Sequence, residues 1–429
     1  MIAAGAILAA TPPSPDRPAA TSCRHCGAAL AKTFLDLGSA PPSNAYLGEA
    51  ELRAPETSYP LRLLVCEGCW LVQTEDHAGR ETLFSGDYAY FSSVSSSWLD
   101  HSRRYVDAMI ARFGLGPESL VAEVAANDGY LLQYVKQAGI ACYGIEPTAG
   151  TAAAARSKGI DIVEAFFGRT LGERLAAEGR AADLVAANNV LAHVPDIDDF
   201  VAGFAALLKP AGVATFEFPH LLRMVEGAQF DTAYHEHYSY LSLAAVRRIF
   251  AANGLAIFDV EALATHGGSL RVFASRADGV ARQALPEVAR VLEAEAMAGM
   301  GGPEFYQGFQ RRAETIKDDL LAFLIKARRE GRSIAAYGAA AKGNTLLNFA
   351  GVRPDLLPFV VDRSPGKQGR FMPGSRIPIV GEDRLKAARP DYVLLLPWNL
   401  RDELTAQLSY VRDWGGQFVT AVPELTVAE

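Results

Sequence analysis

"EVAANDGYLLQYV", Glu123 to Val135, passes from an apolar strand-like run into a helix-like one across a short polar turn. Asn127 and Asp128 favour that turn, and Gly129 lets the backbone approach a ligand before the helix begins. Working outward, "IACYGIEP", "ADLVAANNV" and "AGVATFEFP" are further strand-length apolar runs, separated by helical patterns such as "TAGTAAAARSKG". This alternation predicts a parallel sheet covered on both faces, so the middle of the chain reads as a doubly wound α/β domain. Just upstream, "SSSWLDHSRRYVDAMIARFG" has the spacing of an amphipathic helix.

In such a sheet the ligand lies at the carboxyl ends of the strands. Glu123 closes the first strand, and the turn after it is not GxGxxG, so a dinucleotide pyrophosphate is not the expected guest. Glu146 of "YGIEP" is placed to accept hydrogen bonds from a ribose diol. Asn188, Asn189 and His193 of "AANNVLAHV" face the same crevice. Together these ends describe a site for adenosine without a pyrophosphate, as in S-adenosylmethionine. Its expected lining is Glu123, Ala125, Asn127, Gly129, Tyr130, Glu146, Pro147, Asn188 and Asn189. Ala125 and Ala126 stand at the start of this turn in place of glycine, which loosens the argument for close backbone approach.

Residues 21–80 carry "CRHCGAAL" and "LRLLVCEGCWLVQ". Two CxxC turns set between strand-like runs can aim four sulfurs, from Cys23, Cys26, Cys66 and Cys69, at one tetrahedral zinc ion. Four protein ligands leave no open position, so this zinc is expected to be structural. His25 lies inside the first knuckle and is expected to be a bystander. Cysteines arranged for a metal fit a reducing compartment, the cytoplasm. Residues 1–20 read as a disordered tail.

The 41 basic and 49 acidic residues give a net charge of −8, which does not favour nucleic acid or an anionic membrane as partner. No apolar run approaches the ~20 residues a membrane span needs. Residues 303–330 read as a connecting helix, and residues 331–429 repeat the strand–helix alternation as a smaller Rossmann-like unit. Its first loop, "GAAAKGNTL", keeps the Gly338 to Gly343 spacing of a phosphate-binding loop, but Asn344 replaces the lysine before Thr345. It is no ATPase loop, although a helix N-terminus with Lys342 nearby still suits an anion. Asp362 ends the next strand, and Lys367 and Arg370 follow in a glycine-rich loop.

"DTAYHEHYSYLS", Asp231 to Ser242, follows the strand "VATFEFP" and therefore overhangs the crevice. His235 and His237 are two apart, not one helical turn, so the HExxH metal motif is excluded. Burying the whole polar run would require a partner for each group. Acid–base chemistry remains, with a neighbouring carboxylate such as Glu236 able to raise a histidine's basicity. In an extended segment Tyr234 and Glu236 share one face and the two histidines the other, unless a turn brings them together.

These stretches, with "HGGSLRVF", "YGAAAKGNTLLN" and "VVDRSPGKQGRFMPG", resemble in order the nucleotide-sugar carbon-3 methyltransferases that make branched deoxysugars. The resemblance implies a central methyltransferase domain over residues 81–302 and a substrate that is a dTDP-linked 4-keto-6-deoxysugar, acted on by a monomer. It implies His237 as the base that removes the carbon-3 proton, with Glu236, Tyr234, His193 and Tyr88 as helpers; Tyr90 is a neighbouring alternative to Tyr88. It also implies substrate contacts from Asn44, Arg271, Tyr337, Lys342, Asn344, Thr345, Asp362, Lys367, Trp398 and Asn399. The rival readings are an O- or N-methyltransferase and a non-catalytic zinc-bearing binding protein.

Overall fold

The structure, a computed structural model, describes residues 22–77, 79–83 and 91–428. β1 (Lys32–Ala40), β2 (Tyr59–Val65) and β3 (Val72–Thr74) pair antiparallel beside the two cysteine turns. Phe34, Leu35 and Leu63 of this sheet share one core with Phe309, Ile316 and Leu320. Those three lie on the helix Phe309–Arg329, whose start is set by Gly308 in the left-handed region (φ 80°). The predicted connecting helix is therefore split, its first residues forming a short 3-10 turn, Pro303–Tyr306.

The central sheet contains β4 (Leu120–Val124), β5 (Ala141–Ile145), β6 (Asp161–Val163), β7 (Ala182–Asn188) and β8 (Leu208–Pro219). After β9 (Ser239–Tyr240), it is completed by β10 (Leu255–Leu263) and β11 (Ser269–Arg276), in the order β10-β11-β8-β7-β4-β5-β6. All run parallel except β11, which is antiparallel to both neighbours. Chain order reverses between β4 and β7, which puts the crevice at the ends of those two strands. The amphipathic helix forms over Ser96–Phe113, capped by the Ser95 hydroxyl and closed by Gly114 in the left-handed conformation.

β9 does not join this sheet. It pairs with β3, Val72 opposite Tyr240 and Gln73 opposite Ser239, as the fourth strand of the N-terminal sheet. The C-terminal sheet, order β14-β13-β12-β15-β16-β17, is built from β12 (Ile334–Tyr337), β13 (Val360–Val361), β14 (Ile379–Val380), β15 (Tyr392–Leu395), β16 (Gln417–Thr420) and β17 (Thr426–Ala428). Only β17 is antiparallel. Leu346 and Leu347 of this unit enter the same core as Phe34 and Leu63, so the N- and C-terminal units pack on one another. Among the described residues no helix is long and apolar enough to cross a membrane.

Candidate functional site

The four sulfurs of Cys23, Cys26, Cys66 and Cys69 all lie within 4.8 Å of one another. Cys23 and Cys69 are 3.5 Å apart and Cys26 and Cys66 3.4 Å. Thiolates ~2.3 Å from a tetrahedral zinc stand about 3.8 Å from each other, so the set fits that ion with no further ligand. Gln73 Nε2 donates to the Cys23 sulfur at 3.2 Å, the kind of outer contact that fixes a ligand. His25 is turned away, its Nδ1 2.9 Å from Asp198. Arg24 donates to the Pro195 carbonyl at 2.8 Å, so the first knuckle grips the loop that follows His193.

At the end of β4 the chain adopts positive φ at alternate residues: Ala125 (59°), Asn127 (48°) and Gly129 (75°). The backbone thus takes a conformation that glycine favours even where alanine stands, which answers the concern raised by Ala125. A Cβ on Gly129 would come within 2.4 Å of Ile160. Glu146 accepts from the amides of Asn127 and Thr148, each at 2.9 Å, which aims its carboxylate at the crevice rim beside Pro147. Glu123 is fully buried, and burial drives its carboxyl well above the usual range while the Tyr130 hydroxyl opposes the shift. Asn188 is 6% exposed, yet neither atom of its amide has a hydrogen-bond partner among the described residues. Asn189 donates to His266 Nε2 at 3.1 Å. Trp98 tilts against both Tyr130 and His266, supplying an aromatic wall. An acidic pair, an unsatisfied amide and an aromatic face suit an adenosine-bearing donor.

The Asp231–Ser242 segment is not extended at its centre. A turn from Tyr234 to His237, closed by the His237 amide on the Tyr234 carbonyl at 2.9 Å, folds the two rings to 3.9 Å. His237 Nδ1 lies 2.9 Å from the Thr232 carbonyl, which can only accept, so the proton sits on Nδ1. Nε2 is then the lone-pair atom, and the Tyr234 hydroxyl donates to it at 2.6 Å. His193 stands edge-on to His237 at 4.5 Å. Burial, then the neighbouring His193, holds His237 well below the ordinary imidazole pKa, and burial lowers His193 to about 4. Glu236 faces the other way from His237 and accepts from Asn44 Nδ2 at 2.8 and 2.9 Å. His235 points into the N-terminal sheet, Nε2 3.2 Å from the carbonyls of Tyr59 and Pro60. Tyr88 and Tyr90 lie outside the described residues.

The C-terminal unit closes over this turn. Thr345 donates to the Ala233 carbonyl at 2.8 Å and Trp398 Nε1 to Asp231 at 2.7 Å. Lys342 lies over the Trp398 ring at 4.8 Å, with Asn399 Oδ1 3.5 Å from its ammonium. Burial lowers the Lys342 pKa, opposed by Asp231. Asn344 is buried and lacks partners for its amide among the described residues. Lys367 donates to the Ala339 carbonyl at 2.8 Å, and Asp362 accepts the Ala339 amide at 2.8 Å, so both shape the Gly338–Thr345 loop.

Two of the predicted contacts are not brought to the crevice. Arg271 is held in a buried network, donating to Glu217 and Glu261 at 3.0 Å each, with His101 also on Glu217. Tyr337 points to the far side of its sheet, hydrogen bonded to Glu382 at 2.8 Å and to Gln407 at 3.0 Å. The sequence reading missed Asp231, Trp98 and His266, which the fold brings to the site. His266 adopts φ 56°, and burial lowers its pKa to about 4. The signal available for His266 was its place before two glycines at the β10–β11 turn.

Residues 23–84 match the family model "Putative zinc binding domain", residues 98–260 "Methyltransferase domain", and residues 264–423 "C-methyltransferase C-terminal domain". The C-methyltransferase NovU of Streptomyces niveus is 34% identical over 402 residues, 94% of this chain and 95% of its own. A ubiquinone biosynthesis O-methyltransferase of Chelativorans sp. (strain BNC1) is 23% identical, covering 32% of this chain and 62% of its own. The magnesium protoporphyrin IX methyltransferase of Synechocystis, solved with bound SAM, aligns with 41% of this chain and 79% of its own at 21% identity, with a TM-score of 0.31. The long match runs through all three units and includes the C-terminal one, so the chain belongs to the C-methyltransferase family that contains NovU.

Proposed function

We propose that this C-methyltransferase moves the methyl group of S-adenosylmethionine to carbon 3 of a dTDP-linked 4-keto-6-deoxysugar, acting as a cytoplasmic monomer. The observation that carries the reading is the hydrogen-bonded line Thr232 carbonyl, His237, Tyr234 hydroxyl, which holds a neutral imidazole with its lone pair on the Tyr234 hydroxyl. S-adenosylmethionine, when bound, supplies an electrophilic methyl on a charged leaving group. Glu146 and Asn188 hold and orient that donor, and His237 makes the carbon nucleophile. The ketone at carbon 4 acidifies the proton on carbon 3, and His237 Nε2 takes it as a general base of depressed pKa. Accepting that proton requires Nε2 to release the Tyr234 hydroxyl, which is then available to the enolate oxygen as it develops. His193, edge-on to His237 and itself lowered to about 4, is neutral at neutral pH, which limits the repulsion it exerts on a protonated His237.

Asn44 fixes Glu236 away from the imidazole, which favours a role for Glu236 in holding substrate over a role in tuning His237. The four cysteines hold a structural zinc ion, and no disulfide forms among the described residues, which suits a reducing cytoplasm. The test is turnover and carbon-3 deuterium exchange with dTDP-4-keto-6-deoxysugars. His237→Ala should lower both by about 10²- to 10⁴-fold. Normal exchange in that variant would remove His237 as the base, and methyl transfer to oxygen or nitrogen would refute the whole reading.

A further inference from the structure

Asp231 opens the segment that carries His237, and it is 0% exposed. One carboxylate oxygen accepts from Trp398 Nε1 at 2.7 Å, while the other has no partner from another residue among the described residues, its nearest donor being the amide of Asp231 itself. Lys342 attracts this carboxylate without forming an ion pair with it. Its ammonium instead sits over the Trp398 ring at 4.8 Å, with only long contacts to the His266 carbonyl (3.4 Å) and Asn399 (3.5 Å). Asn344, 1% exposed, adds an amide whose donor and acceptor are both unused, on a helix that packs against the Phe230–Thr232 turn. Buried polar groups are ordinarily satisfied, and leaving several unmet in one place is costly unless a ligand completes them.

The chemistry of this cluster is specific. An acceptor carboxylate and a two-sided amide suit a polyhydroxylated ring, whose hydroxyls bond to the polar groups. A diphosphate suits it poorly, because the buried carboxylate would repel it at short range. The geometry points to Asp231 as a specificity-determining residue that accepts a hydrogen bond from a ring hydroxyl of the hexose, with Asn344 as the second reader of the same ring. The Gly338–Thr345 loop then faces the sugar and not its diphosphate.

Thr232, next in the chain, supplies the carbonyl that fixes His237, so Asp231 belongs to the segment that carries the proposed base. In a 4-keto-6-deoxyhexose linked through carbon 1, the hydroxyls that remain on the ring are those of carbons 2 and 3. The inference rests on the proposed keto-sugar substrate.

The experiment compares wild type, Asp231→Asn and Asn344→Ala on a dTDP-4-keto-6-deoxyhexose and on its 2-deoxy and 3-deoxy counterparts. Donor affinity is measured in parallel by calorimetry with S-adenosylhomocysteine. The expected result is a loss in kcat/KM of about 10- to 100-fold for both variants on the full sugar. On one deoxy counterpart the loss should be under about 3-fold, with donor binding retained. An equal loss on all three sugars, or none on any, overturns the assignment while leaving the methyltransferase reading intact. If wild type turns over none of the sugars, the substrate reading falls and this assignment falls with it.

Discussion

Lowering the pH from about 7.5 to about 5.5 should remove the stability contributed by imidazoles kept neutral around the crevice. His193 and His266 are each lowered to about 4, with burial as the first cause, and His237 is shifted in the same direction. An unfolded histidine titrates near ~6.5, so below that pH the unfolded chain takes up protons that the folded chain excludes. The stability is therefore intact above the unfolded value and is lost as the pH falls toward the folded one. At pH 5.5, His193 and His266 each cost about 1.4 kcal/mol. Asp231 works the other way: burial raises it to about 6, so the folded state binds its proton first and offsets about 0.8 kcal/mol. Glu123, which burial holds well above the usual carboxyl range, works in the same direction as Asp231, so the histidine contribution is read from a variant and not from the wild-type total. The measurement is denaturant unfolding of the metal-saturated protein at both pH values, for wild type and His266→Asn. Both proteins share the zinc site, so its own acid sensitivity cancels in the comparison. The variant should lose about 1.4 kcal/mol less than wild type over this interval. A gap between the two proteins that does not change with pH would refute the claim that His266 is buried neutral.

Two further outcomes follow from local geometry. Stripping zinc with a chelator should loosen β3 and the Pro195–Asp198 loop gripped by Arg24 and His25, raising amide exchange at Thr74 and Tyr238 by at least about tenfold; unchanged protection there would show that the knuckle stands apart from the site. Ala125→Gly should stabilise the protein by about 1 kcal/mol, because alanine is strained at φ 59° and glycine is not. A fall in melting temperature would show that backbone freedom in the unfolded chain outweighs that strain.

The doubly wound centre was legible because β4, β5, β7 and β8 are largely apolar runs, and such runs encode burial on both faces, whereas the three-residue β6 leaves no such trace. The zinc set was legible because four cysteines in two pairs carry their geometry in their spacing. β9 was not: a two-residue strand that pairs with β3 across more than 160 positions leaves no periodic trace. The same non-locality hid Arg271, whose partners Glu217 and His101 come from another strand and from the Ser96–Phe113 helix. The resemblance implied Arg271 as a substrate contact, whereas in the structure the guanidinium is paired with the buried Glu217 carboxylate. In "DTAYHEHYSYLS" the sequence narrowed the choice to acid–base chemistry, and only the turn at Tyr234 separates the roles of His235 and His237.

That turn also gives a physical reason for the three-part architecture. The Asp231–Ser242 segment is too short and too polar to hold its own shape, and each unit contributes a separate anchor. From the N-terminal sheet, Thr74 bonds the carbonyls of Tyr238 and His237, and Asn44 takes Glu236. From the central domain, the Ala192 carbonyl accepts the Tyr238 amide. From the C-terminal unit, Trp398 holds Asp231 and Thr345 holds the Ala233 carbonyl. The two ends of the segment are thus fixed by different units while the imidazole between them is fixed by Thr232 and Tyr234. A general base must be held to within a fraction of an ångström of its proton. No single unit supplies enough contacts to do this, so loss of the zinc staple or of the C-terminal unit should displace the base without touching it.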